Sequence, residues 1–444
     1  MNARGRLLRL FQCCAISGWL AGAQTAAAQT TTPTNPTLAR AIDQERGLDV
    51  RALIALAEEH SPNLARAEAI IQAAAGRERQ AGLRSNPELS VERREQLGGT
   101  DVASGIAANW TLDVARIQPR KDTAGANRQA AEADRNECRR MLFAAVRTVY
   151  GELLAAAERL ITTESQIETA SGLLRLATER AAVGSGATLE RDQLAVEVSL
   201  LTRQRIRDEL QVETRRLALA ELVGVGASDA LLVKGSLEAA IEELMSRNTP
   251  ATVGVRSDIR AAMARVTAAQ ARTRSAQAEG RLNIGVFGQF MSMRNSFPQR
   301  AFSDTGALVP VAGTFNMLSG GVSFVLPWLN RQQGDIAAST ADAAVASREL
   351  DRTHLAADYE VALDRIRVSK AREAVTLLRD EALTRVRANL EVVREAYTLG
   401  ARPLSDVLAE TRRVQQIQLE FTDALLELYR ASVDLRSALG DSGQ

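Results

Sequence analysis

Two kinds of hydrophobic pattern share this chain. Long stretches carry apolar residues at helical spacing, and short stretches of alternating apolar and polar residues interrupt them twice. Residues 124–182 contain no proline and no strand-like run, and Gly125, Gly151 and Gly172 are their only glycines. The pattern predicts one helix of ~85 Å, at ~1.5 Å per residue. A second such stretch covers residues 335–398 and returns over 404–439. The return repeats every seven residues. Val407, Val414, Phe421, Leu428 and Leu435 form one row, and Glu410, Ile417, Ala424, Ala431 and Ala438 form its companion. Large residues beside small ones suit knobs-into-holes packing and a left-handed supercoil. Helices this long fit side-by-side packing in an assembly better than a self-contained globule.

The alternating stretches predict strands. Residues 87–92 lead through a polar turn, Gly98-Gly99-Thr100-Asp101, to a return strand with Ile106, Ala108, Trp110 and Leu112 on one face. Further on, a strand begins at 282–286, and Val322, Phe324, Leu326 and Trp328 line its return. The segment between them, 296–314, reads as a long exposed loop. Period-two alternation marks a sheet between two environments, as in a transmembrane barrel of strands about ten residues long. Trp110 and Trp328 would then sit at the membrane interface. Four strands cannot close a barrel, which needs about eight, so an oligomer must supply the rest.

The whole arrangement occurs twice. Gly186-Ala187-Thr188-Leu189-Glu190-Arg191-Asp192-Gln193-Leu194-Ala195 matches Gly400-Ala401-Arg402-Pro403-Leu404-Ser405-Asp406-Val407-Leu408-Ala409 at Gly, Ala, Asp, Leu and Ala. The helical stretches also end alike, at Glu221-Leu222-Val223-Gly224 and Ser437-Ala438-Leu439-Gly440. A period near half the chain means two large units rather than a solenoid. The expected division is 29–235 as the first repeat, 236–256 as an equatorial linker and 257–444 as the second repeat.

Residues 1–28 read as a secretory signal, with Arg4, Arg6 and Arg9, an apolar core from Leu10 to Ala23, and cleavage after Ala28. Phe11 and Gln12 before Cys13 argue against lipidation. Cys138 is then the one remaining cysteine, so no intramolecular disulfide is expected. The net charge of +1 gives no global attraction to nucleic acid. Beyond the signal no apolar run reaches 18 residues, which leaves a periplasmic, secreted or β-barrel protein.

These elements together resemble the TolC-like outer-membrane efflux protein family over essentially the whole mature chain. Tyr397-Thr398-Leu399-Gly400-Ala401-Arg402-Pro403-Leu404-Ser405-Asp406-Val407-Leu408 is similar to the family's Y-x-x-G-x-x-x-x-x-D-V-L hairpin tip. Residues 323–331, with Leu326-Pro327-Trp328-Leu329-Asn330-Arg331, are similar to its P-L-F-D-R element. Ser61-Pro62-Asn63-Leu64 and Asn86-Pro87-Glu88-Leu89 also fit, and the length is nearest to the CzcC-like cation-efflux branch. Two features depart from the pattern. Ala409, followed by Glu410, stands where some members carry a second Asp, and the position matching Tyr397 in the first copy falls near Val183.

The resemblance implies a mixed, mostly α fold. Duplicated helical hairpins would form a periplasmic α-barrel, and four strands per chain would contribute to a twelve-stranded barrel of a homotrimer in outer-membrane lipid. It implies a passive exit duct working with a periplasmic adaptor (membrane fusion) protein and an inner-membrane transporter of RND type. Adaptor docking is expected at the tips, around Gly184, Gly186, Asp192 and Gly400. A periplasmic gate is expected from Asp406 with Arg402 and Tyr397 in support. Asp406 as a plain helix-terminus carboxylate is the competing reading. The alternatives in function are a pore-less periplasmic adaptor or coiled-coil protein, or the duct of a type I secretion system. No nucleotide-binding loop or nucleophile–base set is present, and His60 and His354 lack partners at metal-ligand spacing. No enzyme activity, cofactor, metal or nucleic-acid site is therefore expected.

Overall fold

The computed structural model describes residues 35–182, 188–229, 231–246 and 256–440. The signal segment and its cleavage site lie outside the described residues. The first repeat opens with helices α1 (Pro36–Ala41), α2 (Val50–His60) and α3 (Pro62–Ala81). Strands β1 (Glu88–Glu95) and β2 (Val102–Thr111) follow, then the long hairpin of α4 (Ile117–Ala182) and α5 (Thr188–Val223). Helix α6 (Leu237–Ser246) leads to the second repeat: α7 (Ser257–Glu279), β3 (Asn283–Phe302), β4 (Leu308–Val325) and α8 (Gln333–Leu377). A π-helical turn (Leu378–Leu383) joins α8 to α9 (Thr384–Thr398), and α10 (Leu404–Ala438) returns.

The anticipated long helix is the 66-residue α4, ~100 Å from end to end. Helices α3 and α7 both lie along α4, and α7 also lies along α8. Alanines make this close approach possible: Ala126 on α4 meets Ala268 and Ala271 on α7. The predicted heptad row of α10 turns inward, with Val407, Val414 and Leu428 buried. Ala424, Ala431 and Ala438 of the companion row are buried as well.

The main core lies partway along the helices. Phe143, Val146, Leu153 and Leu160 of α4 pack with Leu53 of α2, Leu219 of α5 and Leu425 and Tyr429 of α10. The expected linker 236–256 contributes to this core, because α6 buries Leu237, Ile241 and Leu244. Just before it, Val233 bridges Ile42 and Leu48 in parallel register. Cys138 is free and packs half-buried against this core. His60 is held within its own helix, its Nδ1 lying 3.2 Å from the Leu56 carbonyl in the last turn of α2. His354 is exposed on α8.

The four strands form one antiparallel sheet in the order β1-β2-β3-β4. The β2–β3 pairing therefore joins the two repeats. The register carries single rows across all four strands. Val91, Ile106, Phe290 and Leu318 share one row and Leu89, Ala108, Gly288 and Gly320 the next. The opposite face carries Glu92, Gly105, Met291 and Met317, then Ser90, Ala107, Gln289 and Ser319. One face is thus apolar and the other mixed polar, as the alternation predicts.

Three expectations about the second strand pair need correction. Strands β3 and β4 run 20 and 18 residues, not about ten. The expected loop 296–314 is mostly strand, with cross-strand pairs from Arg300↔Pro310 to Phe302↔Leu308. Only residues 303–307 turn, with Gly306 in the left-handed region. Strand β4 also ends at Val325, so Leu326 and Trp328 lie just beyond it.

Candidate functional site

At the second tip, α9 ends in a tight reversal. Ala401 N–H reaches back to the Ala396 carbonyl (2.8 Å) and Gly400 N–H to that of Tyr397 (3.0 Å). This double closure needs a left-handed residue, which Gly400 supplies at φ +76°. A Cβ on Gly400 would meet open space. Pro403 then caps α10 with its fixed φ, and Asp406 falls in the first helical turn.

The three expected gate residues separate into two groups. Arg402 Nη1 lies 3.1 Å from Asp406 Oδ2, an exposed pair one turn apart. Tyr397 bonds to neither; it points at the first hairpin. Arg180 of α4 places its guanidinium 5.6 Å from the Tyr397 ring centre. Arg180 Nη1 also donates to the phenol oxygen at 3.0 Å, and the phenol donates to Glu190 of α5 at 3.4 Å. Burial raises the Tyr397 pKa, and the Glu190 charge adds to that. The phenol therefore stays protonated and able to donate. Beneath this link, Leu404, Val407 and Leu408 pack on Ala177 and Leu194. The start of α10 is thereby held on the first hairpin.

One tie between the hairpins has no counterpart among the expected residues. Arg412 of α10 donates through Nε and Nη2 to the carboxylate of Glu197 on α5, whose side chain is 9% exposed. A Glu and an Arg 215 positions apart carry no local signal. Glu410 does not replace the missing second Asp as an exposed acid. Its side chain is mostly buried and 3.8 Å from Arg413.

Asp192 sits a turn inside α5, paired with Arg191 at 2.7 Å, whereas Glu190 is the acid of the first turn. Gly184 and Gly186 lie outside the described residues. No group of His, Cys, Asp and Glu able to hold a metal occurs among the described residues.

At the other end, the apolar sheet face finishes in aromatic residues. Trp110 donates Nε1–H to the Ser85 carbonyl at 2.8 Å. Trp328 is 77% exposed beside Leu326 and Leu329. Both lie where strands pass into long helices, at the same edge of the sheet. Tryptophans of this kind favour the boundary between apolar and aqueous phases. Among the described residues no helix is long and apolar enough to cross a membrane.

The outer membrane efflux protein family model matches residues 53–225. The pyoverdine export outer membrane protein OpmQ of Pseudomonas putida is 26% identical over 416 residues, covering 88% of this chain and 86% of OpmQ. A membrane protein from Pseudomonas aeruginosa has the same fold, with a TM-score of 0.70 at 21% identity, over 88% of this chain and 92% of that one. The outer membrane protein VceC of Vibrio cholerae superposes with a TM-score of 0.68 at 20% identity, over 88% and 96% of the two chains.

Proposed function

This chain is an outer-membrane efflux protein of the TolC-like kind, and we propose that three copies of it build one passive exit duct of a tripartite pump. It resides in the outer membrane and extends into the periplasm. The observation that carries the trimer is the open sheet. Strands β1 and β4 are its two edges, and among the described residues the outer side of each has no strand partner. In lipid each unsatisfied backbone group costs several kcal/mol, so an open edge there must be paired. Three copies joined edge to edge give twelve strands with no free edge over the length that β1 covers. The helices support the same closure. Leu189, Val196, Leu210 and Leu217 form an exposed row on α5 at multiples of seven residues, and Val345, Tyr359 and Ile366 form another on α8. Two such seams suit the α5 of one copy against the α8 of the next.

The tips would meet a periplasmic adaptor, and an inner-membrane transporter of RND type would supply the energy. Gly400 belongs to the docking surface, where its missing side chain lets another helical tip approach. Asp406 of three copies would converge near the axis as a gate. The Arg402–Asp406 pair neutralises each carboxylate, and Tyr397 fixes the second tip to the first hairpin.

The mass of the protein solubilised in detergent tests the duct: a trimer is expected, and a monomer would overturn the reading. Single-channel recording tests the gate. Asp406→Asn should weaken cation selectivity and block by multivalent cations, and Arg402→Ser should raise conductance. If Asp406→Asn leaves both properties unchanged in an inserted trimer, Asp406 serves only as the acidic residue of a helix terminus.

A further inference from the structure

We propose that the outer ends of β3 and β4 from three copies pack together as an apolar collar over the extracellular mouth. This rests on the trimeric barrel. Strand β1 ends at Glu95, paired with Val102, and Val102 in turn pairs with Arg294. Among the described residues, the β1–β2 turn is fastened to β3 at Ser296. Ser296 N–H donates to Asp101 Oδ1 (2.7 Å), and Thr100 Oγ1 donates to Ser296 Oγ (2.5 Å). The β3–β4 register shifts immediately beyond Ser296. From there the two strands continue as a ribbon of their own, to Phe302↔Leu308.

The neighbouring copy's β1 cannot cover this ribbon, because it has 8 residues against the 18 of β4. The barrel therefore closes at its base and leaves both edges of each ribbon bare. A lone two-stranded ribbon is marginal in water. This one also exposes Phe302, Leu308 and Val309. Pro310 has no N–H to offer, so further strand pairing along that edge is interrupted. Contact must come through side chains, from a surface that is equally apolar and equally close. The other two copies present such a surface by symmetry. Because β3 carries the extra residues of the register shift, the ribbon's reach is set by the four β4 steps from Ala312 to Leu308, ~13 Å. Twelve strands ~4.8 Å apart and tilted ~40° enclose a barrel of roughly 12 Å radius, so the ribbons are long enough to meet over the mouth.

The test places a single cysteine at Phe302, or separately at Thr305 in the turn, in a Cys138→Ser background. Intact detergent-solubilised trimers are treated with a short bis-maleimide and run on a denaturing gel. The collar predicts a shift from monomer to linked dimer for Phe302→Cys, with Thr305→Cys as the second probe should the first variant fail to assemble. Monomer alone from both variants, in samples whose mass is that of a trimer, overturns the collar and leaves the barrel standing. A sample with monomer mass overturns the barrel instead. A fluorophore attached to the Phe302→Cys variant and quenched by lipid-borne quenchers in vesicles would place the ribbon in lipid, and this too overturns the collar.

Discussion

The ring of Tyr429 occupies the space that a side chain on Gly151 would need. A Cβ on Gly151 would stand 2.2 Å from the ring, closer than any real contact. The Tyr429 hydroxyl donates to the Arg147 carbonyl one turn earlier, at 2.9 Å. This contact joins α4 of the first repeat to α10 of the second, at the centre of the main core. It also accounts for a glycine in the middle of a very long helix, where the usual cost against alanine is ~1 kcal/mol.

Gly151→Ala should therefore destabilise the helical part by about 1–3 kcal/mol, the usual scale of overpacking, despite alanine's better helix propensity. Gly172 lies on the same helix with nothing near its missing side chain. Gly172→Ala should be neutral or stabilising by up to ~1 kcal/mol. Thermal unfolding of both variants in detergent checks the pair. Similar effects from both would mean that the Tyr429 contact is not what selects glycine.

The helical repeat is readable in the sequence because its signal is local. The Val407, Val414 and Leu428 row needs only sevenfold spacing, and it is buried as expected. The 296–314 segment misleads for an equally local reason. Gly306, Pro310 and Gly313 are turn residues by type, yet a ribbon bare on both edges accommodates proline and glycine without losing pairs. The partners of Tyr397 are out of reach of any local pattern. Arg180 and Glu190 are more than 200 positions away, and only the crossing of the two hairpins brings them together. The exposed α5 row is hard to see in the sequence because Arg203 interrupts it, between Val196 and Leu210.

Arg256 is 3% exposed and holds the end of α10. Its Nη1 donates to the Ala438 carbonyl at 3.0 Å, and its Nη2 lies 2.8 Å from both Asp258 and Glu360. Arg140 donates to the adjacent Ser437 carbonyl at 2.9 Å. Cations at a helix C-terminus are favourable, and removing one partner of a buried pair leaves the others uncompensated. Arg256→Met should cost about 3–5 kcal/mol. Arg348→Met, at the water-exposed Arg348–Asp351 ion pair (3.3 Å), should cost no more than ~1 kcal/mol. Paired melting curves check the ranking, and equal losses would contradict it.

Carboxylates near that end should make stability depend on pH in two windows. Burial raises the pKa of Asp364, and the neighbouring Asp434 raises it further. Burial likewise raises Asp434. The unfolded chain ionises these groups first, so stability falls as pH rises from the ordinary carboxylate pKa of ~4 through the raised values. Asp258 behaves in the opposite sense. Burial would raise it, but the hydrogen bond and charge of Arg256 outweigh burial and lower its pKa. Its contribution is complete above ~4 and is lost as pH falls through the lowered value. Melting temperature should therefore peak in mildly acidic buffer. Asp434→Asn should flatten the decline toward neutral pH and leave the acid limb in place. An unchanged decline would show that Asp434 is not its source.

Gly400 allows backbone strain and partner contact to be separated at one position. Its φ of +76° penalises any residue with a Cβ, by ~1–2 kcal/mol. Asparagine tolerates this region better than alanine, and a side chain added at this position enters open space within the protomer. Gly400→Asn and Gly400→Ala thus probe the reversal between α9 and α10, and Gly400→Trp adds bulk at a similar backbone cost. If the tip is an adaptor-docking surface, Asn and Ala variants should keep most efflux while Trp abolishes it, with trimer levels in the membrane unchanged. The measurement is resistance or export in cells matched for trimer content. Equal loss from Ala and Trp would trace the defect to the strained turn. Full activity of the Trp variant would remove Gly400 from the docking surface altogether.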